Sequence, residues 1–418
     1  MNKKTIVVGA GASGLFFGAA APASAGGDIL ILEKTDKIGT KLLMSGSGQC
    51  NLTHAGSIKE FLSCYGESGS RIRKCLYRHN NLEYISFMES LGVKTAERED
   101  GKVFPVSMDS RDVRQALLAA ASGNSVTIMK NSPVKAFKAI PGGFEVTVSS
   151  KGPGVSYAAG ERTFTCRNLV IAAGGASYPS TGSDGSVLQI LRRDLGIAVT
   201  DLRPALAPVY VQDYPFAELS GISFKNAGLR ISDSQGKKIR EASGDLLLTH
   251  RSFSGPLMLN NSRYINAGFR VEINFVFPYT VSSVLSRIKG ACGGNNKSAV
   301  SFFAEEFGLP KRFVSLILGS CGLSEKKLSS MTGCEMETAA RAFAAAVFSV
   351  SGTGSFREAM ATKGGVALDG VDFSFMESKT QKGLYFIGEV LDIDGNTGGY
   401  NLQFAYSSAR TCLDAIYT

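Results

Sequence analysis

Tryptophan is absent from the 418 residues, histidine occurs three times and proline twelve times. The three histidines, 54, 79 and 250, and the eight cysteines, 50, 64, 75, 166, 292, 321, 334 and 412, form no CxxC and no zinc-type spacing. No metal site is therefore expected. A chain this long needs no disulfide staples, so the thiols are read as reduced and the location as cytoplasmic. No apolar stretch reaches the roughly 18 residues of a membrane span. Without Trp, and with basic residues scattered along the chain, no stacking platform for single-stranded nucleic acid is evident.

What is present is a large globular chain. It is 44% apolar and 19% charged, enough to bury a substantial core and too apolar for disorder. At roughly 150 residues per domain, two or three domains are expected. Lys and Arg number 45 against 36 Asp and Glu, a net charge of +9. That sign permits an anionic ligand, nucleic acid or a membrane surface without choosing among them. Glycine is in excess at 48 residues. With so little proline and no repeat, collagen is excluded, and the excess points to backbone packed closely against a ligand such as a nucleotide.

The N-terminus admits two readings. Lys3 and Lys4 before an apolar run, with Ala23-Ser24-Ala25 beyond it, have the outline of a signal peptide. The alternative is a buried strand, Thr5 to Val8, the loop Gly9-Ala10-Gly11-Ala12-Ser13-Gly14, and a short helix. Only the second explains the glycines, and it predicts a second strand ending in an acid ~20 residues on. Asp28 to Leu32 followed by Glu33 supplies it. The loop would bring backbone N–H groups to a pyrophosphate, and Glu33 would accept from a ribose diol. By itself this motif does not separate NAD from FAD.

Three regions follow. From 1 to about 200 strands and helices alternate: helices over Asn81–Leu91 and Arg111–Ser122, a hairpin over Thr95–Val103, and a strand over Ser125–Met129. Strands at Phe144–Val148 and Thr163–Cys166 pair across a Gly-rich loop, and Leu169–Ala173 reads as a buried parallel strand. Residues 201–280 are strand-rich and 281–349 helical, with Arg341 to Phe348 the most apolar piece. Residues 350–418 return to a Gly-rich α/β pattern and end in a helix over Asn401–Tyr417. The expected architecture is a discontinuous nucleotide-binding domain, 1–200 and 350–418, interrupted by an inserted domain, 201–349.

Two more segments carry chemistry. The stretch from Gly39 to Thr53, including Lys41, Gly46, Gly48, Gln49, Cys50 and Asn51, is small and polar and follows the ribose acid. A bland loop is its alternative reading. At the far end, a strand delivers Gly388-Glu389, and a helix begins after Gly398-Gly399 near Asn401 and Leu402. An acid there can hold a ribityl hydroxyl, and a helix start can favour negative charge on a flavin N1–C2=O edge. A site at each end of the chain shifts the reading from dinucleotide to FAD.

Gly39 to Thr53, Val103-Phe104-Pro105-Val106-Ser107, Ala173 to Pro179, Leu248-Thr249-His250, Ser254-Gly255-Pro256, Thr362 to Val366, Met376 to Lys379 and Gly388 to Gln403 resemble the BaiN/YhiN-like bacterial flavoproteins, in order and over almost the whole chain. The resemblance implies an α/β fold with a Rossmann-like FAD-binding domain of the glutathione-reductase/fumarate-reductase type, interrupted by a β-barrel plus helical domain. It implies an FAD-dependent oxidoreductase with noncovalent FAD; a second GxGxxG is lacking, so either NAD(P)H docks transiently as the donor or another reductant serves. Lys34, Val134, Ala173 and Gly174 complete the expected cofactor set. Two departures stand out. The family's Gly-Gly-Gly-Arg-Cys-Asn is Gly46-Ser47-Gly48-Gln49-Cys50-Asn51 here, which removes a cation. An aliphatic position is Phe253, which would line the site.

His250 is the candidate proton donor, with a structural hydrogen-bonded role as its alternative. Cys50 reads as a packed thiol sooner than a nucleophile. Tyr178 and Tyr400 are divided between stacking on ligand and ordinary packing. Arg71, Arg73, Lys74 and Arg78 read as a solvated helix face, or else as a contact for an acidic partner or nucleic acid. The expected function is hydride transfer to or from a small molecule, by reduction of an unsaturated or carbonyl compound or by oxidase chemistry. A flavin-dependent RNA-modifying enzyme is the alternative.

Overall fold

A computed structural model describes residues 2–149, 160–292 and 296–418. The Gly-rich loop expected between Phe144–Val148 and Thr163–Cys166 falls largely on 150–159 and lies outside the described residues. The chain forms two compact units, Met1–Ala205 with Phe356–Thr418, and Leu206–Ser355.

The first unit is built on one mixed sheet. β1 (Asn2–Val8) pairs in parallel with β2 (Ile29–Leu32) on one side and with the long strand Glu161–Ile171 on the other. Thr127–Met129 extends the sheet beyond β2, and Leu384–Phe386 pairs in parallel with the far edge of Glu161–Ile171. Ile6, Val7, Ile29, Ile31, Leu169 and Val170 are all fully buried or nearly so. Parallel strands covered on both faces need such unbroken apolar runs. The segment from Thr163 to Ala173, expected as two strands, is largely one. Its first half pairs antiparallel with Gly143–Ser149 and its second half parallel with β1.

Helix α1 (Ala12–Ala19) packs against the C-terminal helix Tyr400–Tyr417 and against Ser110–Gly123. Almost every residue of α1 is buried, so the apolar run with the outline of a signal peptide is core. The basic run lies on the helix Gly69–Arg78. Arg71 pairs with Asp369 at 2.7 Å, Arg78 with Asp414 at 2.9 Å, and Arg73 lies 5.5 Å from the Tyr77 ring centroid.

The second unit holds a closed barrel. Its strands run in the order Val209–Val211, Phe253–Ser254, Lys238–Leu248, Ser223–Ser232, Arg270–Asn274 and Ala346–Thr353. Among the described residues five helices, Gly255–Asn261, Val281–Ala291, Ala299–Glu306, Lys311–Ser320 and Gly333–Ala344, share its core. Two sequence expectations are corrected here. The helical region stops at Ala344, and Ala346–Thr353 is a barrel strand whose Phe348 opposes Val271. Local apolarity suggested helix, but closing the barrel requires a strand between Arg270–Asn274 and Val209–Val211. Phe253 lines no open site: it is fully buried, packed against Phe216, Tyr214 and Phe348.

No helix among the described residues is long and apolar enough to cross a membrane. All eight cysteines are free.

A polar cluster ties the C-terminal helix to its neighbours. The buried His79 ring faces both Glu83 oxygens at 3.0 Å through Nδ1 and Asp414 Oδ2 at 3.1 Å through Nε2. Tyr406 donates to Glu83 at 3.1 Å. Burial alone would raise the Glu83 carboxyl, but the His79 hydrogen bond and the nearby Arg410 outweigh it and hold the group below its usual range. A carboxylate stabilised in the folded state contributes above its unfolded value, and the contribution fades as pH falls through the folded one. Glu83→Gln is therefore expected to cost on the order of 1–2 kcal/mol at pH 7. Denaturant titrations at stepped pH should show that deficit shrinking below about pH 4. A deficit independent of pH would contradict the assignment.

Candidate functional site

Three adjacent parallel strands of the first unit end in loops on the same edge of the sheet. These are β1 into Gly9–Gly14, Glu161–Ile171 into Ala172–Gly175, and Leu384–Phe386 into Gly388. Open α/β sheets place ligands outside the carboxyl ends of such strands.

The three motif glycines have different reasons to be glycine. Gly9 has φ +108°, and a Cβ there would stand 2.5 Å from the Ala172 carbonyl oxygen and 3.1 Å from Ala173 Cα. A Cβ on Gly14 would collide with the Gly9 carbonyl. Gly11 has ordinary extended backbone, φ −76°, and nothing lies within 4 Å of its Cβ position. Protein packing demands the first and third glycines and makes no demand for the second.

Glu33 closes one side of this loop. Its Oε2 accepts from the Ala10 N–H at 3.0 Å, and its Oε1 accepts from the Thr35 N–H and hydroxyl, both at 2.8 Å. Lys34 turns away to pair with Asp184 at 2.5 Å. The Glu33 carbonyl accepts from the Ser132 N–H at 2.8 Å, which draws the start of Val134–Ile140 alongside. Val134 is half-buried there.

The two ends of the chain meet at Gly388. A Cβ on it would overlap the Ser13 hydroxyl, and its N–H donates to Ser408 Oγ at 3.0 Å. Next to it, Glu389 is held by three partners. Lys41 Nζ is 2.5 Å from Oε2, while Ser177 Oγ at 3.0 Å and the Thr362 N–H at 2.9 Å reach Oε1. Lys41 also donates to Ser177 Oγ at 2.7 Å, and the Cβ position of Gly174 lies 3.9 Å from Glu389 Oε2. Ser177 and Thr362 were not singled out individually, although both lie in segments that carry the family resemblance.

A second helix start completes the site. The C-terminal helix has Gly399 as its N-cap, at φ +93°. With its side-chain amide turned to satisfy both ends, Asn51 accepts from the Gly399 N–H at 3.2 Å and donates to the Val103 and Thr53 carbonyls. Thr53 Oγ1 donates to Gln403 Oε1 at 2.6 Å. A Cβ on Gly399 would stand 2.6 Å from the Thr53 backbone. That residue is thus glycine because of its conformation and the neighbouring chain, and not to keep room for a ligand. Asn401 closes a local clamp on Gly395 through its amide, at 2.8 and 3.0 Å.

The first-turn N–H groups of both helices are unsatisfied. Those of Ala12, Ser13 and Gly14, and of Tyr400, Asn401 and Leu402, meet no acceptor among the described residues. Each helix start also bears partial positive charge, so both favour negative groups.

Two candidates are not reactive in this setting. Cys50 is fully buried, and burial pushes its thiol up to about 11, so it stays protonated. Tyr400 packs among His54, Phe61 and Tyr65. His250 belongs to the second unit, on an exposed turn after Lys238–Leu248, and its ring makes no hydrogen bond among the described residues. The structural, hydrogen-bonded reading of His250 is therefore not what the turn displays.

A family model described as the HI0933-like protein Rossmann domain matches residues 3–414. A ribosomal RNA dihydrouridine synthase of Haemophilus influenzae is 30% identical over 412 residues, spanning 98% of this chain and 97% of that protein. A 3-dehydro-bile acid delta(4,6)-reductase of Clostridium scindens is 29% identical over 415 residues, 96% of each. A solved 3-ketosteroid delta1-dehydrogenase from Sterolibacterium denitrificans shares the fold with a TM-score of 0.51 at 13% identity, covering 99% of both chains. The resemblance carried by the motifs holds, and the chain belongs to the HI0933-like family.

Proposed function

We propose that the protein is an FAD-dependent reductase acting on a carbon–carbon double bond conjugated to a carbonyl. The observation that carries the cofactor is the pair of unsatisfied helix starts flanking the Ser13–Gly388 junction, together with Gly11, whose missing Cβ leaves space that no protein atom uses. Ala12, Ser13 and Gly14 would hold a pyrophosphate. Glu33 spends three acceptor sites on Ala10 and Thr35 and retains one for a ribose hydroxyl. Glu389, fixed by Lys41, Ser177 and Thr362, would face a ribityl chain. The Tyr400–Leu402 amides would stabilise negative charge at a flavin's pyrimidine edge by roughly 0.3–2 kcal/mol. When bound, FAD supplies two-electron hydride chemistry. With one GxGxxG in the chain, the donor is either a transiently docked NAD(P)H or another reductant.

We keep His250 as the proposed proton donor. His54 stacks on Tyr400 and bonds the Ala55 carbonyl, and His79 is held between two carboxylates, whereas the His250 ring is exposed and unengaged among the described residues. The reaction class is common to both named relatives. A dihydrouridine is a uridine whose double bond beside a carbonyl has gained two hydrogens, and a delta(4,6)-reductase removes conjugated double bonds from a steroid. We take the substrate to be a small conjugated carbonyl compound, since the densest basic run is partly neutralised by Asp369 and Asp414. Uridine in ribosomal RNA is the second reading, favoured by the name of the 30%-identical relative.

Gly11→Ala tests the cofactor site cleanly, because its Cβ would enter space free of protein. The apo-protein should keep its stability within about 0.5 kcal/mol, while FAD affinity measured by fluorescence quenching should fall by about tenfold or more. Unchanged FAD affinity, or heat-released supernatant holding NAD and no flavin, would contradict the assignment.

The substrate is tested anaerobically with dithionite-reduced holoenzyme. A steroid 4,6-dien-3-one should restore the yellow colour, and its saturated analogue should not. Restoration by ribosomal RNA alone, with dihydrouridine formed, would establish the second reading. No response to either would refute the reaction class.

A further inference from the structure

The hairpin of Thr95–Glu97 and Lys102–Pro105 carries one exposed arginine that is held on three sides. The Arg98 guanidinium lies 3.9 Å from the centroid of the buried Phe104 ring. One of its terminal nitrogens donates to Gln49 Oε1 at 2.8 Å and lies 3.7 Å from the Met108 sulfur. Among the described residues Arg98 forms no ion pair. Glu97 and Glu99 flank it in sequence without pairing to it, and Asp100 is bonded to Lys102 and senses Arg98 only through space.

Confining a long surface side chain costs rotamer entropy. Here no carboxylate offsets that cost. Met108 is itself in the left-handed region despite carrying a side chain, at φ 54°. The position of the arginine is equally specific. Gln49 lies two residues before Asn51, whose amide reaches the Gly399 N–H, so the guanidinium sits beside the loop that leads to the second helix start. Gln49 stands where the family has a cationic residue, and it now orients a cation arriving from another strand.

We propose that Arg98 binds an anionic oxygen group of the substrate, a phosphodiester or a carboxylate, and that Gln49 is its positioning residue. The inference rests on the reading of this end of the unit as the substrate side of the flavin site. Gln49 occupies one terminal nitrogen and leaves the remaining N–H donors of the guanidinium free. A planar fork of donors fits two oxygens of one anion, which a lysine ammonium cannot match. Phe104 fixes the plane of the fork and Gln49 its rotation.

The test is calorimetric titration of the full chain, with FAD and without it, at low ionic strength. The probes are dimethyl phosphate and propionate, which carry the two anionic groups without the rest of a substrate. Saturable binding of one probe is expected, and the probe that binds identifies the source. Arg98→Gln should weaken that binding by about tenfold, and Gln49→Leu, which keeps the charge but removes the tether, by about threefold. Arg98→Gln with Gln49→Arg should recover part of the affinity. FAD content should match wild type in Arg98→Gln. Binding of neither probe would overturn the proposal, as would equal binding by wild type and Arg98→Gln. Loss of FAD in Arg98→Gln would also overturn it, by assigning the guanidinium to the cofactor. If no form of the protein takes FAD, the flavin reading fails separately, and the titration of the chain without FAD still decides whether Arg98 holds an anion.

Discussion

The long strand Glu161–Ile171 is the constraint on which the first unit depends. It pairs in parallel with the N-terminal strand on one side and with Leu384–Phe386 on the other. Segments separated by almost the whole chain therefore end on one edge of one sheet. Without that register Ser13 and Gly388 would not touch, and the Lys41–Glu389 pair, 348 residues apart in sequence, would not form. Closing so long an intervening chain costs entropy. The second unit reduces that cost by folding on its own core, so that Leu206–Ser355 acts as a compact insert between two neighbouring points.

The site is defined more by what the protein leaves unsatisfied than by what it satisfies. Several neighbouring buried and half-buried polar groups are well engaged: Glu389 has three hydrogen-bond contacts, Thr53 reaches Gln403, and His79 lies between two acids. Beside them, two helix starts present first-turn N–H groups with no acceptor among the described residues. Their shared preference for negative charge suits a ligand anionic at one end and able to become anionic at the other. That is the physical content of the flavin proposal.

Much of this was legible in the sequence because short-range geometry has a fixed spacing. A parallel strand, a tight turn and a helix force glycines at 9 and 14, and the spacing to Gly11 and to an acid near 33 completes the pattern, so those residues announced themselves. The C-terminal pair, Gly388-Glu389 and the helix after Gly399, was legible for the same reason. What escaped were properties set by distant partners. Ala346–Thr353 reads as apolar helix until the barrel needs a closing strand. Phe253 reads as a site residue until it is seen buried under Phe216 and Phe348. Gly399 is glycine because the Thr53 backbone passes 2.6 Å from its Cβ position, a contact no local pattern encodes. Gln49 and Arg98 are 49 residues apart, and no sequence pattern joins them.

Amide hydrogen exchange, followed at single-residue resolution with and without FAD, tests the central claim most directly. If both chain ends build one flavin site, saturating FAD should slow exchange at Ala12, Ser13 and Gly14 and, at the same ligand concentration, at Tyr400, Asn401 and Leu402. The barrel strands should exchange as before. Protection confined to the N-terminal loop, or equal protection by NAD, would contradict a redox site completed by the C-terminal helix.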